Sequence, residues 1–167
     1  VFFMYVHEFQ VKSLLNVNNI LTPKSFLLQK YQEIDTVLNF FSNKNLVIKA
    51  QVHSGSRLAY GGIIFIKNNY KELDSAIKKL LYKKIITNQS GAEGKVINKI
   101  LIEEKLNIKN EIYMSFFIDR DKEVITLLVS FSGGSNIEKK DTNQFLKMNI
   151  DLLFGVCDYQ IRQMLFF

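Results

Sequence analysis

A single cysteine, Cys157, in 167 residues gives an internal disulfide no second thiol, and this fits a reducing compartment. Two histidines and that one cysteine are too few for a dedicated zinc site, so no metal-ligating residue is assigned. No apolar run approaches the roughly 18 residues needed to cross a bilayer. The apolar start, Val1 to Val6, is short, lacks a basic leading region and is cut off by His7-Glu8, which is not the pattern of a signal peptide. There is no G-x-x-x-x-G-K-[ST], so a P-loop NTPase is not supported. The one proline, Pro23, closes a connection near the start, and no repeat or low-complexity linker divides the chain.

What is present is an ordinary globular composition, 47% hydrophobic and 23% charged, at the length of one domain. The net charge of +6 would permit nucleic-acid binding. The lysines, however, are scattered among Asn and Ile. Only Lys78-Lys79 with Lys83-Lys84 cluster, on what reads as one helix, and a solvated helix face is the expected meaning. Neither nucleic acid nor membrane is expected as a partner.

Along the chain, Val6 to Val17 reads as a short helix with Val6, Phe9, Leu14 and Val17 near one stripe. Ser25 to Leu28 reads as a strand. Tyr31, Ile34, Leu38 and Phe41 recur at steps of three and four, an amphipathic helix, and Asn43-Lys44-Asn45 breaks it. Asn68-Asn69 offers an N-cap to a second helix whose stripe is Tyr70, Leu73, Ile77, Leu80 and Leu81. Ile85 to Thr87, Val96 to Glu103, Ile112 to Ile118 and Val124 to Phe131 read as strands, the last two joined by a hairpin loop at Asp119 to Lys122. A last helix starts at Asp158. The class is α+β, with mixed or antiparallel sheets and flanking helices.

The stretch Leu46 to Gly62, LVIKAQVHSGSRLAYGG, stands out. By strand alternation Leu46, Ile48, Ala50 and Val52 share a buried face, and Val47, Lys49, Gln51 and His53 share the other. A lysine inside an apolar strand needs a partner, either a phosphate or a buried carboxylate. The following loop, Ser54-Gly55-Ser56-Arg57, supplies backbone N–H groups, hydroxyls and a guanidinium, the chemistry that holds polyphosphate. A surface hairpin with a solvated Lys and Arg is the alternative.

These residues resemble the ATP-grasp phosphate loop of succinate–CoA ligase (succinyl-CoA synthetase) beta subunits, which carry a lysine strand, then Gln-Val-His-Ala-Gly-Gly-Arg-Gly, then Gly-Gly. Here the order is Lys49, Gln51-Val52-His53-Ser54-Gly55-Ser56-Arg57-Leu58, then Gly61-Gly62. Further similarities follow in the family's order: Met4-Tyr5-Val6-His7-Glu8-Phe9-Gln10-Val11-Lys12, Ile100-Leu101-Ile102-Glu103, Glu111-Ile112-Tyr113, Asp119-Arg120, Gly133-Gly134 and Tyr159-Gln160.

The resemblance implies a partial ATP-grasp fold over residues 4–167, with the C-terminal CoA-ligase domain absent. It implies ATP or ADP held by Lys49, Ser56, Arg57, Leu58, Glu103, Leu106 and Glu111. Glu103 and Glu111 would lie beside adenine and ribose, and Leu106 would meet the base through its main chain. It implies Mg²⁺ with ligands downstream of Phe167, an alpha subunit that carries the phosphohistidine, and a bacterial cytoplasm or mitochondrial matrix. No catalytic residue is assigned to this chain, and His53 reads as a loop-anchoring hydrogen bonder. Malate–CoA ligase and the corresponding part of ATP-citrate lyase are the enzymatic alternatives. A non-catalytic remnant and a basic nucleic-acid binder are the others. Ser56-Arg57-Leu58 departs from Gly-Arg-Gly, and Leu58 is expected to resist a positive φ. Near Gly133-Gly134 the family's acids are replaced by Ser132 and Asn136.

Overall fold

The computed structural model describes residues 6–42, 44–134, 137 and 142–167; Met4, Tyr5, Asn43 and Asn136 fall outside them. Although the sequence shows no internal boundary, the chain folds as two compact units that meet between Leu106 and Asn107.

The first unit is built on a four-stranded sheet in the order β1-β6-β2-β3: β1 (Ser25–Leu28), β2 (Asn45–Ala50), β3 (Ile63–Lys67) and β6 (Ile100–Glu104). Every pairing in it is antiparallel. Alternation sends Leu28, Leu46, Ile48, Ala50, Ile100 and Ile102 to one face, where they meet the apolar stripes of α2 (Ile34–Phe41) and α3 (Tyr70–Leu80). Ile34, Val37 and Phe41 come from α2, and Leu73, Ala76, Ile77 and Leu80 from α3. Each such side chain, fully buried, contributes about 1.5–3 kcal/mol. Asn69 caps α3 by accepting from the Glu72 amide at 2.9 Å. Tyr70, at the first helical position, lies outside the stripe and is half exposed. Lys78 and Lys79 close α3, but Lys83 and Lys84 lie past its end, so the four form no single helical face. Lys78 instead pairs with Asp74 one turn back, at 2.9 Å.

The run expected as one strand, Val96 to Glu103, changes partners midway. Lys95–Val96 (β5) pairs with Lys84–Ile85 (β4) in a two-stranded ribbon, while β6 joins the main sheet. Between them the Ile97 amide donates to the Lys83 carbonyl at 2.9 Å and the Lys99 carbonyl accepts from Gln51 at 3.0 Å. Thr87 leaves the ribbon because its amide donates to Ser90 Oγ in a turn, at 2.8 Å.

Helix α1 (Glu8–Val17) departs most from expectation. Leu14 is 61% and Val17 81% exposed, and Val6 is exposed too; the one buried residue on the helix is Lys12. The sheet's second face carries charge, so the helix that reaches it brings charge rather than an apolar stripe.

The second unit is a three-stranded antiparallel sheet, β7 (Tyr113–Asp119), β8 (Val124–Ser130) and β9 (Leu146–Ile150), with α4 (Asp158–Leu165). Its core is Leu127, Val129, Met148 and Ile150, joined by Met164 of α4. The hairpin expected after Asp119 joins β7 to β8. Strand β9 was not expected, though Leu146, Met148 and Ile150 alternate with Lys147 and Asn149. Gln160 anchors α4, donating to the Asn149 carbonyl at 2.8 Å and accepting from the Cys157 amide at 2.9 Å.

Burial on α1 sets an expected ranking. Lys12→Ala leaves the buried Glu103 short of a cation and is expected to cost about 3 kcal/mol, whereas Leu14→Ala stays within about 0.5 kcal/mol. Urea denaturation of both variants tests it; a larger loss at Leu14 would restore the apolar stripe.

Candidate functional site

Register creates the site. With Val47 opposite Glu103 and Lys49 opposite Leu101, Lys49 and Glu103 are diagonal neighbours on one face of the sheet. Lys49 Nζ lies 2.6 Å from Glu103 Oε2. Glu103 Oε1 takes Lys12 Nζ at 2.5 Å. From the start of α1, Glu8 adds a second carboxylate, with Oε1 at 2.8 Å from Lys49 Nζ and Oε2 at 2.6 Å from an Arg57 guanidinium nitrogen. Arg57 also donates to the Ala50 carbonyl at 2.6 Å, which holds the guanidinium against the end of β2.

Three cations and two carboxylates thus form one chain of ion pairs with a net single positive charge. Its inner end is dry, the Glu103 side chain being 4% exposed, while Lys49, Arg57 and Glu8 are 21%, 20% and 26% exposed. Burial pulls the Lys49 pKa down, but its bonds to Glu103 and Glu8 outweigh that and leave it above the ordinary lysine value. Burial likewise pushes Glu8 up, and the bonds from Lys49 and Arg57 overcome it and hold the carboxyl below its usual range.

The loop closes on itself through Gly62, whose amide donates to the Arg57 carbonyl at 2.7 Å and whose carbonyl accepts from Ala50 at 2.8 Å. A Cβ on Gly62 would stand 2.7 Å from Ile85 Cδ1 and 3.2 Å from the Arg57 carbonyl, so a larger residue there would have to push the Ile85 side chain aside and crowd the closure. The positive φ falls on Ser56, at +53°, and not on Leu58, which is half exposed. The positive φ expected to strain Leu58 is therefore carried two positions earlier, by a small polar residue. The Gly55 amide, a donor expected for phosphate, is taken by Gln89 Oε1 at 2.7 Å, and Ser54 is hydrogen-bonded to Thr87.

His53 stacks on His7, with ring centroids 3.9 Å apart, beside a cavity of about 250 Å³ also lined by Gln51, Lys95, Asn98 and Lys99. The His53 carbonyl accepts from Lys95 Nζ at 2.8 Å, so the loop anchoring expected of His53 runs in part through its main chain. Burial, then the neighbouring His53, Lys99 and Arg57, lower the His7 pKa.

Of the residues expected to hold nucleotide, Lys49, Ser56, Arg57, Leu58 and Glu103 belong to the first unit, and Lys49, Arg57 and Glu103 join one ion-pair network. Glu103 faces two lysines there. Leu106 follows β6 and is half exposed. Glu111 belongs to the second unit, where its carbonyl accepts from the Gly133 amide at 2.7 Å and it borders a cleft with Lys109, Asn110, Ser132 and Gly133.

Glu8, Lys12 and Gln89 were missed as site residues. The signal for the first two was present: Glu8 and Lys12 are four apart and share a helix face, where they would ordinarily pair with each other. Each instead reaches to the sheet, Glu8 to Lys49 and Lys12 to Glu103. Gln89 has no local signal, since it meets Gly55 from 34 positions away. Among the described residues no group of three His, Cys, Asp or Glu side chains could hold a metal ion. Both carboxylates at Lys49 are committed to cations, so this donor set does not fit magnesium.

The shifts give the network a pH signature. The depressed Glu8 value means that its contribution to stability is complete above the unfolded value of 4.5 and is lost as pH falls through the folded value. The raised Lys49 value means that its contribution is complete below 10.5 and is lost as pH rises through the folded value. The stability gap between wild type and Glu8→Gln is therefore expected to hold across neutral pH and to close on acidification below 4.5. Denaturant midpoints at a series of pH values test this; a gap that persists well into acid would remove the carboxylate as its source.

Comparison with known proteins agrees with this architecture. The ATP-grasp domain family model matches residues 5–167. A succinate–CoA ligase [ADP-forming] subunit beta of Ruthia magnifica subsp. Calyptogena magnifica is 37% identical over 153 residues, covering 90% of this chain and 39% of the relative. A probable malate–CoA ligase subunit beta of Mesorhizobium japonicum is 33% identical over 166 residues, 98% of this chain and 42% of the relative. The chain thus spans about two fifths of the length of these curated relatives. Among solved structures, ATP citrate lyase from Methanothrix soehngenii, in complex with citrate and coenzyme A, superposes with a TM-score of 0.66 at 17% identity, over 90% of this chain and 36% of that one. The fold and the match over nearly every residue place this chain in the ATP-grasp domain family.

Proposed function

We propose that this chain is the nucleotide-binding region, over residues 4–167, of a succinate–CoA ligase beta subunit. The complete enzyme interconverts succinyl-CoA, ADP and phosphate with succinate, CoA and ATP. The observation that carries the reading is the Lys49–Arg57 pair, two cations gathered on one carboxylate at the end of β2. A phosphate chain presents the same chemistry as that carboxylate, paired anionic oxygens that accept from a lysine and a guanidinium. Lys49 and Arg57 would hold the phosphates of ATP or ADP, with Ser56 and Leu58 shaping the loop beneath them. Glu103 would keep Lys49 aimed, and Leu106 and Glu111 would serve the base and ribose. The relatives' names support a ligase forming carbon–sulfur bonds, with an alpha subunit as partner. No step is assigned to magnesium, which the described donors do not fit. The proposed setting is a bacterial cytoplasm or mitochondrial matrix. Among the described residues no helix is long and apolar enough to cross a membrane.

A malate–CoA ligase is the second reading, since one such relative matches over 98% of this chain at 33% identity.

Calorimetric titration with ADP tests the nucleotide site. A charge-assisted phosphate contact is worth about 1.5–3 kcal/mol, so Lys49→Ala is expected to weaken binding roughly ten-fold or more. Circular dichroism establishes that both proteins are folded. Equal affinities would remove Lys49 from the site, and binding by neither would overturn the nucleotide reading.

A further inference from the structure

We propose that Glu8 is a built-in competitor anion at the Lys49–Arg57 site, which any phosphate must displace to bind and which strongly bound anions such as polyphosphates are best able to overcome. The inference rests on the phosphate-binding reading of that pair.

The geometry is that of an occupied anion site. One carboxylate oxygen lies 2.8 Å from Lys49 Nζ and the other 2.6 Å from the Arg57 guanidinium, so a single group bridges both cations. A phosphate cannot take those positions while Glu8 holds them. A monoanion would exchange one charge for an equal one and gain little. A polyphosphate brings several charges and can outbid the carboxylate at both cations together.

Displacement leaves the rest of the unit in place. Glu103 remains between Lys12 and Lys49, so Lys49 keeps a buried partner and its aim. Arg57 keeps its bond to the Ala50 carbonyl. Glu8 is the first residue of α1, and the helix puts no apolar side chain of its own among the buried residues. Beyond the ion pairs, the start of the helix meets the sheet unit through the N-cap His7 stacked on His53, through the Phe9 amide on Gln51 Oε1, at 3.3 Å, and through Lys99 over the Phe9 ring. Swinging Glu8 out therefore uncovers no buried apolar residue of α1, and it trades two ion pairs for two made by the ligand.

The test titrates wild type, Glu8→Gln and Lys49→Ala, each as the full chain at neutral pH, with tripolyphosphate, orthophosphate and ADP. Glu8→Gln keeps the side chain's size and removes its charge. It is expected to bind tripolyphosphate about ten-fold more tightly than wild type, the worth of one competing charge-assisted contact. Orthophosphate, which must displace the same carboxylate, is expected to tighten by a similar factor. Unchanged or weaker tripolyphosphate binding by folded Glu8→Gln overturns the inference. The side-chain carboxyl resonance of Glu8 in wild type supplies a second readout that needs no variant. Saturation with tripolyphosphate is expected to return its titration to the ordinary glutamate range, and a titration that does not move also overturns the inference. The two readings separate cleanly. ADP binding that is lost in Lys49→Ala yet equal in wild type and Glu8→Gln keeps the nucleotide site and removes the competitor. Tighter tripolyphosphate binding in Glu8→Gln, with no ADP bound by any variant, keeps the competitor and removes the nucleotide.

Discussion

Glu103 is the constraint on which the first unit depends. A carboxylate on a central strand, 4% exposed in its side chain, is costly unless cations come with it. Lys49 from β2 and Lys12 from α1 meet that need from two directions. The pairing does not make the sheet more stable than an apolar substitute would. Its consequence is geometric. A one-residue slip of β2 against β6 would send Lys49 to the face of Leu46, Ile48 and Ala50 and strip Glu103 of a partner. Register, the aim of Lys49 and the seat of α1 are thus tied to one buried charge.

The sheet's two faces consequently do different work. One is apolar and packed by α2 and α3, and its contacts cannot be exchanged without opening the core. The other is a relay of charges that grows wetter from Glu103 outward to Glu8 and Arg57. Ion pairs at a partly wet rim can change partners at small cost, which packed methyl groups cannot. A ligand site that must bind and release an anion is better placed on the second face. The strand alternation that puts Lys49 opposite the core is what allows both faces to coexist in five residues of β2.

Much of the apolar face was legible in the sequence. The steps of three and four in α2 and α3, the alternation in β2 and the cap at Asn69 are local signals, and the structure follows them. Failures came where partners are distant. Val96 to Glu103 reads as one strand because most of its residues are apolar or β-branched, yet Asn98-Lys99 interrupt them and backbone groups at Tyr82, Lys83 and Gln51 divide the run there. Helix α1 was given an apolar stripe because Val6, Phe9, Leu14 and Val17 are roughly in phase, but the face it meets is ionic. Lys49 was correctly seen to need a partner. That it would find two carboxylates, one of them 41 positions earlier, no local pattern could reveal.

The loop shows how a site can keep its shape while its letters change. Glycine is useful in a phosphate loop for its backbone, at positions of positive φ or close approach. Here the close approach is kept by Gly62, wedged between Arg57 and Ile85, and the left-handed turn by Ser56 at a cost on the order of 1 kcal/mol. Leu58 has an ordinary φ and points a half-exposed side chain outward, so its bulk does not have to fit beneath the cations. The Arg57 side chain and main chain are held by the Ala50 carbonyl and by the Gly62 amide rather than by the residues on either side of it. The amide of the retained Gly55 donates to Gln89, so the cations carry more of the anion recognition than that part of the loop backbone does. A site that relies on two cations rather than a nest of amides is also one that a single carboxylate can occupy, and Glu8 does so.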